Sequence, residues 1–222
     1  MSDLKQRQVS LNGALTYDDY GMIQTKKEIS QPAPKTTYLS VPGRDGDIDL
    51  SAALDGVHYE DRMIQLSYFL DGNYEERLET IAKFVNAYNG QAVQLVDVDD
   101  SPMWYYTGRA VITGVMNLNA YSTIDMELRC DPFMYTRYPK KRSISVTTAG
   151  GRDFLHVVNS GFRKVTPIIV STGNATITAN DVSITVSVGT YSASALTLLP
   201  GLNTISVIGD ATIEFSYTEV ML

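Results

Sequence analysis

Residues 62–98 read RMIQLSYFLDGNYEERLETIAKFVNAYNGQAVQLVDV, and this stretch decides the fold. Its opening, Arg62–Leu70, alternates: Ile64, Leu66 and Tyr68 share one face and Gln65 and Ser67 the other, the period of a half-buried strand. The period then changes. Leu78, Ile81, Ala82, Val85 and Tyr88 recur at helical spacing and give a helix over Tyr74–Tyr88 one apolar face. Asn73 can cap its start, Glu75 and Glu76 suit the positive end of the dipole, and Glu76 stands where a capping box places its acid. Asn89-Gly90 is a stop, after which Ala92–Val98 is again strand-like.

Outward from this core, Met103–Met116 and Ser122–Cys130 read as strands, with turn chemistry at Asp99-Asp100-Ser101-Pro102 and Asn117-Leu118-Asn119. Residues 1–135 are therefore expected to form an α+β unit, a sheet with one packed helix. Beyond it only short strands are expected: Ser143–Thr148, Phe154–Asn159, Thr166–Ser171, Ala175–Thr178, Val182–Val188, Thr204–Val207 and Ala211–Tyr217. Gly, Asn and Asp separate them at the spacing of a β-sandwich. The fold class is mainly β with one helix, in two domains, 1–135 and 136–222, meeting near Tyr135–Arg142.

Charge changes in blocks along the chain. Residues 1–135 hold 20 acidic and 11 basic side chains, a balance of −9, whereas 136–164 hold seven basic and one acidic. Residues 165–222 hold four acids and neither Lys nor Arg. An acidic majority argues against a protein that grips nucleic acid by its phosphates. No apolar run is long enough for a membrane span. The start, MSDLKQRQVSLNG, has no apolar leader core, so a soluble chain made in a cytoplasm is expected. The lone Cys130 excludes an internal disulfide and a thiolate metal cluster.

No enzyme signature is present: no nucleophile elbow, phosphate loop, paired-histidine metal motif or dinucleotide fingerprint. His58 and His156 read as structural or surface residues, and Ser160 in Asn-Ser-Gly is turn chemistry. Asp97, Asp99 and Asp100 could offer oxygens to a divalent cation, but a solvated hairpin turn accounts for them better. Trp104, Tyr105 and Tyr106 alternate across a strand, which favours core or interface burial over a sugar platform. The basic stretch Arg137, Lys140, Lys141 and Arg142 reads as a solvated linker or a contact with an acidic neighbour. No cofactor and no metal is expected. Arg44, Asp45, Asp47 and Asp49 lie in a turn with Gly43 and Gly46 and in the strand after it. Two accounts stay open for these four. Either the acids merely keep a tight bend hydrated, or Arg44 meets an acid of a neighbouring copy.

Several motifs, in order, resemble the distal tail proteins of siphophages. They are Val41-Pro42-Gly43-Arg44-Asp45-Gly46-Asp47-Ile48-Asp49-Leu50, then Tyr59 and Arg62, the helix, and Trp104-Tyr105-Tyr106-Thr107-Gly108-Arg109. Cys130-Asp131-Pro132-Phe133-Met134-Tyr135 is similar to the close of that family's first domain. Asn159-Ser160-Gly161 with Pro167, and Leu199-Pro200-Gly201-Leu202-Asn203-Thr204-Ile205, are similar to markers of its second. The resemblance implies a ring-forming amino-terminal domain and a galectin-like β-sandwich outside a homo-hexameric ring. That ring would join the tail tube above to a hub or tail-associated protein below, at the virion tail tip. DNA would pass through it without specific binding. It implies a structural protein, not an enzyme, and no membrane partner. The competing reading is a carbohydrate-binding module of an adhesion device, using the second sandwich or Trp104–Tyr106.

Overall fold

The computed structural model describes residues 7–51, 56–192 and 194–222. The first six residues, part of the stretch read as lacking a leader, lie outside the described residues. The chain divides into two compact units, one ending at Met134 and one spanning Tyr135–Leu222. It is mainly β with a single helix among the described residues, as the sequence leads one to expect.

The first unit contains β1 (Val9–Leu11), β2 (Ala14–Leu15), β3 (Ile23–Ile29), β4 (Tyr38–Leu39), β5 (Ile48–Asp49) and β6 (Arg62–Leu70). Helix α1 (Tyr74–Tyr88) follows, then β7 (Ala92–Asp97), β8 (Trp104–Asn117) and β9 (Ser122–Cys130). Seven strands of this unit run antiparallel along one sheet in the order β2-β1-β7-β8-β9-β6-β3. Ile64, Leu66 and Tyr68 of β6 and Ile124, Met126 and Leu128 of β9 share its inner face and are buried to 1% exposure or less. The sheet is rolled. Four inter-strand steps separate β7 from β3, about 19 Å in a flat sheet, yet Lys27 of β3 lies 2.6 Å from Asp97 at the end of β7.

Helix α1 packs its Phe84 against Tyr68 and Tyr20, with ring centroids 6.0 and 5.3 Å apart. The Asn73 side chain caps it by accepting from the Glu75 N–H at 2.9 Å. The buried stripe is Arg77, Ile81, Phe84 and Tyr88, one row over from the face expected: Ala82 is exposed, and Leu78 and Val85 are only half-buried. The shift follows from Arg77, a residue that an apolar reading skips. Its guanidinium donates to the carbonyls of Gly72, Leu118, Asn119 and Ala120 and to the Ser122 hydroxyl, at 2.5–3.3 Å. Five donors are thereby satisfied without a counter-ion among the described residues, and the helix is tied to the β8–β9 turn.

Strand β10 (Met134–Thr136) spans the boundary, and the second unit goes on with β11 (Lys140–Asn159). It continues through β12 (Ile168–Ser171), β13 (Asn174–Ala179), β14 (Val182–Val186), β15 (Gly189–Ser192), β16 (Gly201–Tyr217) and β17 (Val220–Met221). Strands β11 and β16 pair from Lys140↔Tyr217 to Asn159↔Gly201, with one register break between Val146 and Gly151. On its other edge β16 changes partner: residues 206–210 pair β13, and residues 213–216 pair β12. The long strand thus bends from one sheet half into the other, and both halves line one core. Val157, Ile177 and Ile205 come from one half, and Ile144, Ile169 and Phe215 from the other. This is how a strand makes the corner of a sandwich.

The bend corrects the sequence reading of this unit. Ser143–Thr148 with Phe154–Asn159, and Thr204–Val207 with Ala211–Tyr217, are halves of β11 and β16, not separate strands. The glycines between them mark a kink instead of a turn. At Gly209 φ is +148°, and a Cβ would lie 2.3 Å from the Asn174 carbonyl oxygen. Strand β15 has no expected counterpart, because Gly-Thr-Tyr-Ser carries no apolar alternation.

Two buried asparagines hold the loops of this unit. Asn159, fully buried, donates to the Arg163 and Leu198 carbonyls at 2.8 and 3.2 Å and accepts from the Gly161 N–H at 2.9 Å. Asn203 accepts from the Leu199 N–H at 2.8 Å and donates to the Leu199 and Gly201 carbonyls at 2.7 and 3.1 Å. Both motifs singled out in the sequence are therefore structural devices.

Candidate functional site

Arg44, Asp45, Asp47 and Asp49 all belong to one hairpin. Among the described residues strands β4 and β5 pair only with each other, Tyr38↔Asp49 and Leu39↔Ile48, and residues 40–47 turn between them. The turn is closed by the Arg44 N–H donating to the Val41 carbonyl at 3.2 Å. At its base the Leu50 N–H reaches the Thr37 carbonyl at 2.8 Å, and the Thr37 N–H reaches the Ser51 hydroxyl at 2.9 Å. The Asp49 carboxylate accepts from the Ser51 N–H at 2.8 Å, and its hydrogen bonds with Ser51 hold its pKa below the ordinary value. A lone two-stranded ribbon is marginal in water. This one also exposes apolar side chains on both faces: Tyr38 is 59% and Leu39, the next residue, 50% exposed, with Leu50 at 39%.

The acidic turn after β7 is a clasp, which corrects its reading as a solvated bend. Asp97 is 2% exposed. Lys27 donates to Asp97 at 2.6 Å and to Asp100 at 2.5 Å, while the Gln8 N–H donates to Asp99 at 2.9 Å. Burial pulls the Lys27 pKa down, but its bonds to Asp100 and Asp97 outweigh this and leave it raised. Asp100 is held low by the hydrogen bond from Lys27. Asp97 and Asp100 are thus committed to closing the rolled sheet, and Asp99 holds the entry to β1.

The other groups are also engaged structurally. Lys140 and Lys141, expected either in a solvated linker or in contact with an acidic neighbour, open strand β11 and bond Glu219 and Glu214 at 2.8 and 2.9 Å. Glu219 is buried, and it also accepts from the Ser160 N–H at 2.7 Å. His156 lies on an exposed face, its Nδ1 3.2 Å from the Thr204 hydroxyl. Tyr106 points into the core beneath Arg62, whose guanidinium carbon is 5.3 Å from the ring centroid, so Trp104, Tyr105 and Tyr106 form no common platform. Arg62 is 2% exposed and donates to the Ser30 and Pro132 carbonyls at 3.0–3.2 Å. Sequence reasoning missed the roles of Arg62 and Arg77. The usable signal was an arginine at an inward-facing position of each periodic segment.

Cys130 is 1% exposed, and burial, helped by Asp131, pushes its thiol up to about 12. Since the thiolate is the reactive form, a disulfide reagent near pH 8 is expected to leave the folded chain unlabelled. One thiol per chain should appear on unfolding, and rapid labelling of the native protein would contradict this placement.

No protein-family model matches the chain, and no curated protein matches it. Its fold is similar to the crystal structure of the SPP1 Dit protein (gp 19.1), described as a paradigm of the hub adsorption apparatus in phages infecting Gram-positive bacteria. The likeness has a TM-score of 0.68 at 16% sequence identity and covers 98% of this chain and 100% of that one.

Proposed function

We propose that this chain is a structural hub component of a phage tail, of the distal tail type, and that copies of it close a hexameric ring. The observation that carries the reading is the likeness to the SPP1 Dit protein over 98% of this chain and the whole of the other. The exposed hairpin supports it: a marginal ribbon with apolar side chains on both faces gains most from burial against another chain. Arg44, Asp45, Asp47 and Asp49 are its polar contacts with the next copy. The ring sits at the virion tail tip between the tail tube and a hub or tail-associated protein, and it catalyses nothing.

Identical chains that meet through two different surfaces form a ring when the rotation closes. Light scattering over a wide concentration range is expected to show hexamers, or a monomer–hexamer equilibrium. A strictly monomeric protein that also fails to join tail tubes would end this reading. DNA passes through the bore unheld. The balance of −9 in residues 1–135 supports this, because every phosphate held by a cation would slow passage. A gel-shift at low salt, where attraction is exaggerated, is expected to show no binding of duplex DNA, and tight, salt-sensitive binding would contradict it. The carbohydrate-binding reading loses its Trp104–Tyr106 support to the burial of Tyr106.

A further inference from the structure

The outer face of the rolled sheet carries a concavity with a structural cause. Two β-bulges fall in the same row: β3 shifts register between Gln24 and Lys26, and β8 between Ile112 and Gly114. Between them Ser67 pairs Asp125, and Asp125 pairs Gly114, so four adjacent strands bend together. The resulting groove, about 290 Å³, is lined by Lys26, Gln65, Ser67, Thr113, Asp125 and Glu127. Its lysine is committed, to Gln65 at 2.8 Å and Glu28 at 3.0 Å. Asp125 accepts from the Ser67 hydroxyl at 2.6 Å, and Glu127 makes no ion pair with any described residue. The groove is thus short of positive charge. Exposed apolar residues flank it on β8, Val111 opposite Glu127 and Met116 opposite Thr123. Farther along the same face stand two exposed cations, Arg109, which donates to the Gly90 carbonyl, and Arg129, which pairs with Asp61 at 2.5 Å yet keeps 74% of its side chain exposed.

The hairpin carries the inverse pattern. Arg44 is its one cation, makes no ion pair with any described residue, and sits among Asp45, Asp47 and Asp49, with exposed Tyr38, Leu39 and Leu50 behind. We infer that this groove is the seat of the β4–β5 hairpin of a second copy of the chain. Arg44 enters between Asp125 and Glu127, the flanking acids face Arg109 and Arg129, and the hairpin's apolar side chains cover Val111 and Met116. Opposite signs and apolar surface on two different patches of one chain make a head-to-tail contact, the kind that closes rings. The inference rests on the ring reading and names the acceptor that reading leaves open.

The test uses the full chain. Arg44→Glu is expected to weaken self-association by about tenfold or more, as will the pair Asp125→Lys with Glu127→Lys. Combining all three should restore it to within about threefold of the wild type. A second variant, Arg44→Cys with Thr113→Cys, should give a ladder of covalent oligomers on oxidation, and either cysteine alone should not. The buried Cys130 does not compete. A wild type that assembles while Arg44→Glu assembles equally well and the cysteine pair stays monomeric overturns this contact and leaves the ring standing. A wild type that never self-associates, even with tail tubes supplied as a template, removes both.

Discussion

Replacing Asp97 by Ala is expected to cost about 3 kcal/mol of stability, a fall of roughly 10 °C in the unfolding midpoint of the first unit. Asp97 and Lys27 are the ion pair that lets β3 meet the end of β7, and their side chains are only 3% and 13% exposed. Removing one partner strands the other charge in a poorly solvated place, which is why the loss exceeds that of a surface pair. Asp100 remains as a second partner for Lys27 and keeps the cost near the lower end of the range for buried pairs. Replacing both Lys27 and Asp97 with apolar residues should recover much of the loss, since no buried charge is then left alone. The pH dependence has a definite sign. The raised Lys27 pKa means that its contribution is complete below the ordinary value of 10.5 and is lost as pH rises through the higher folded value. The lowered Asp100 pKa means that its contribution is complete above 3.8 and fades as pH falls through the folded value. A denaturant titration of Asp97→Ala showing a loss under about 1 kcal/mol would mean that the clasp does not hold the roll.

Gly209→Ala is expected to cost on the order of 4 kcal/mol, combining backbone strain with a clash. With φ at +148°, the added methyl carbon would meet the Asn174 carbonyl oxygen at 2.3 Å and the Ala175 Cα at 2.8 Å, backbone atoms that cannot swing aside. The residue stands where β16 passes from β13 to β12, so relief of the clash must open one sheet half of the second unit. The neighbouring Asp210 is exposed on the same strand, and Asp210→Ala serves as the control with a change within about half a kcal/mol. Equal midpoints for the two variants would show that the bend tolerates a side chain.

What the sequence disclosed depended on how local the signal was. The change of period between Arg62 and Val98 made the strand, the helix and the next strand legible, because solvent on one face writes the pattern directly into the chain. The helix face was misplaced by one row because Arg77 is charged, and a cation whose donors are satisfied by turn carbonyls looks from sequence like a solvent-facing residue. The clasp was illegible for a related reason: Lys27 lies 70 positions from Asp97, and nothing local says that a sheet will roll. The second unit's long strands were cut in two because a glycine that kinks a strand and one that ends it read alike. The hairpin residues Arg44, Asp45, Asp47 and Asp49 could be singled out from glycine spacing alone. The groove proposed to receive them, by contrast, arises from two bulges that only the register of four strands reveals.

Ring closure is the central claim, and electron microscopy of the purified full-length protein tests it most directly. Negatively stained particles at concentrations well above the association midpoint are expected to average to closed six-fold rings with a central hole. A field of single compact particles at every concentration, with no rings even when tail tubes are supplied as a template, would contradict the account.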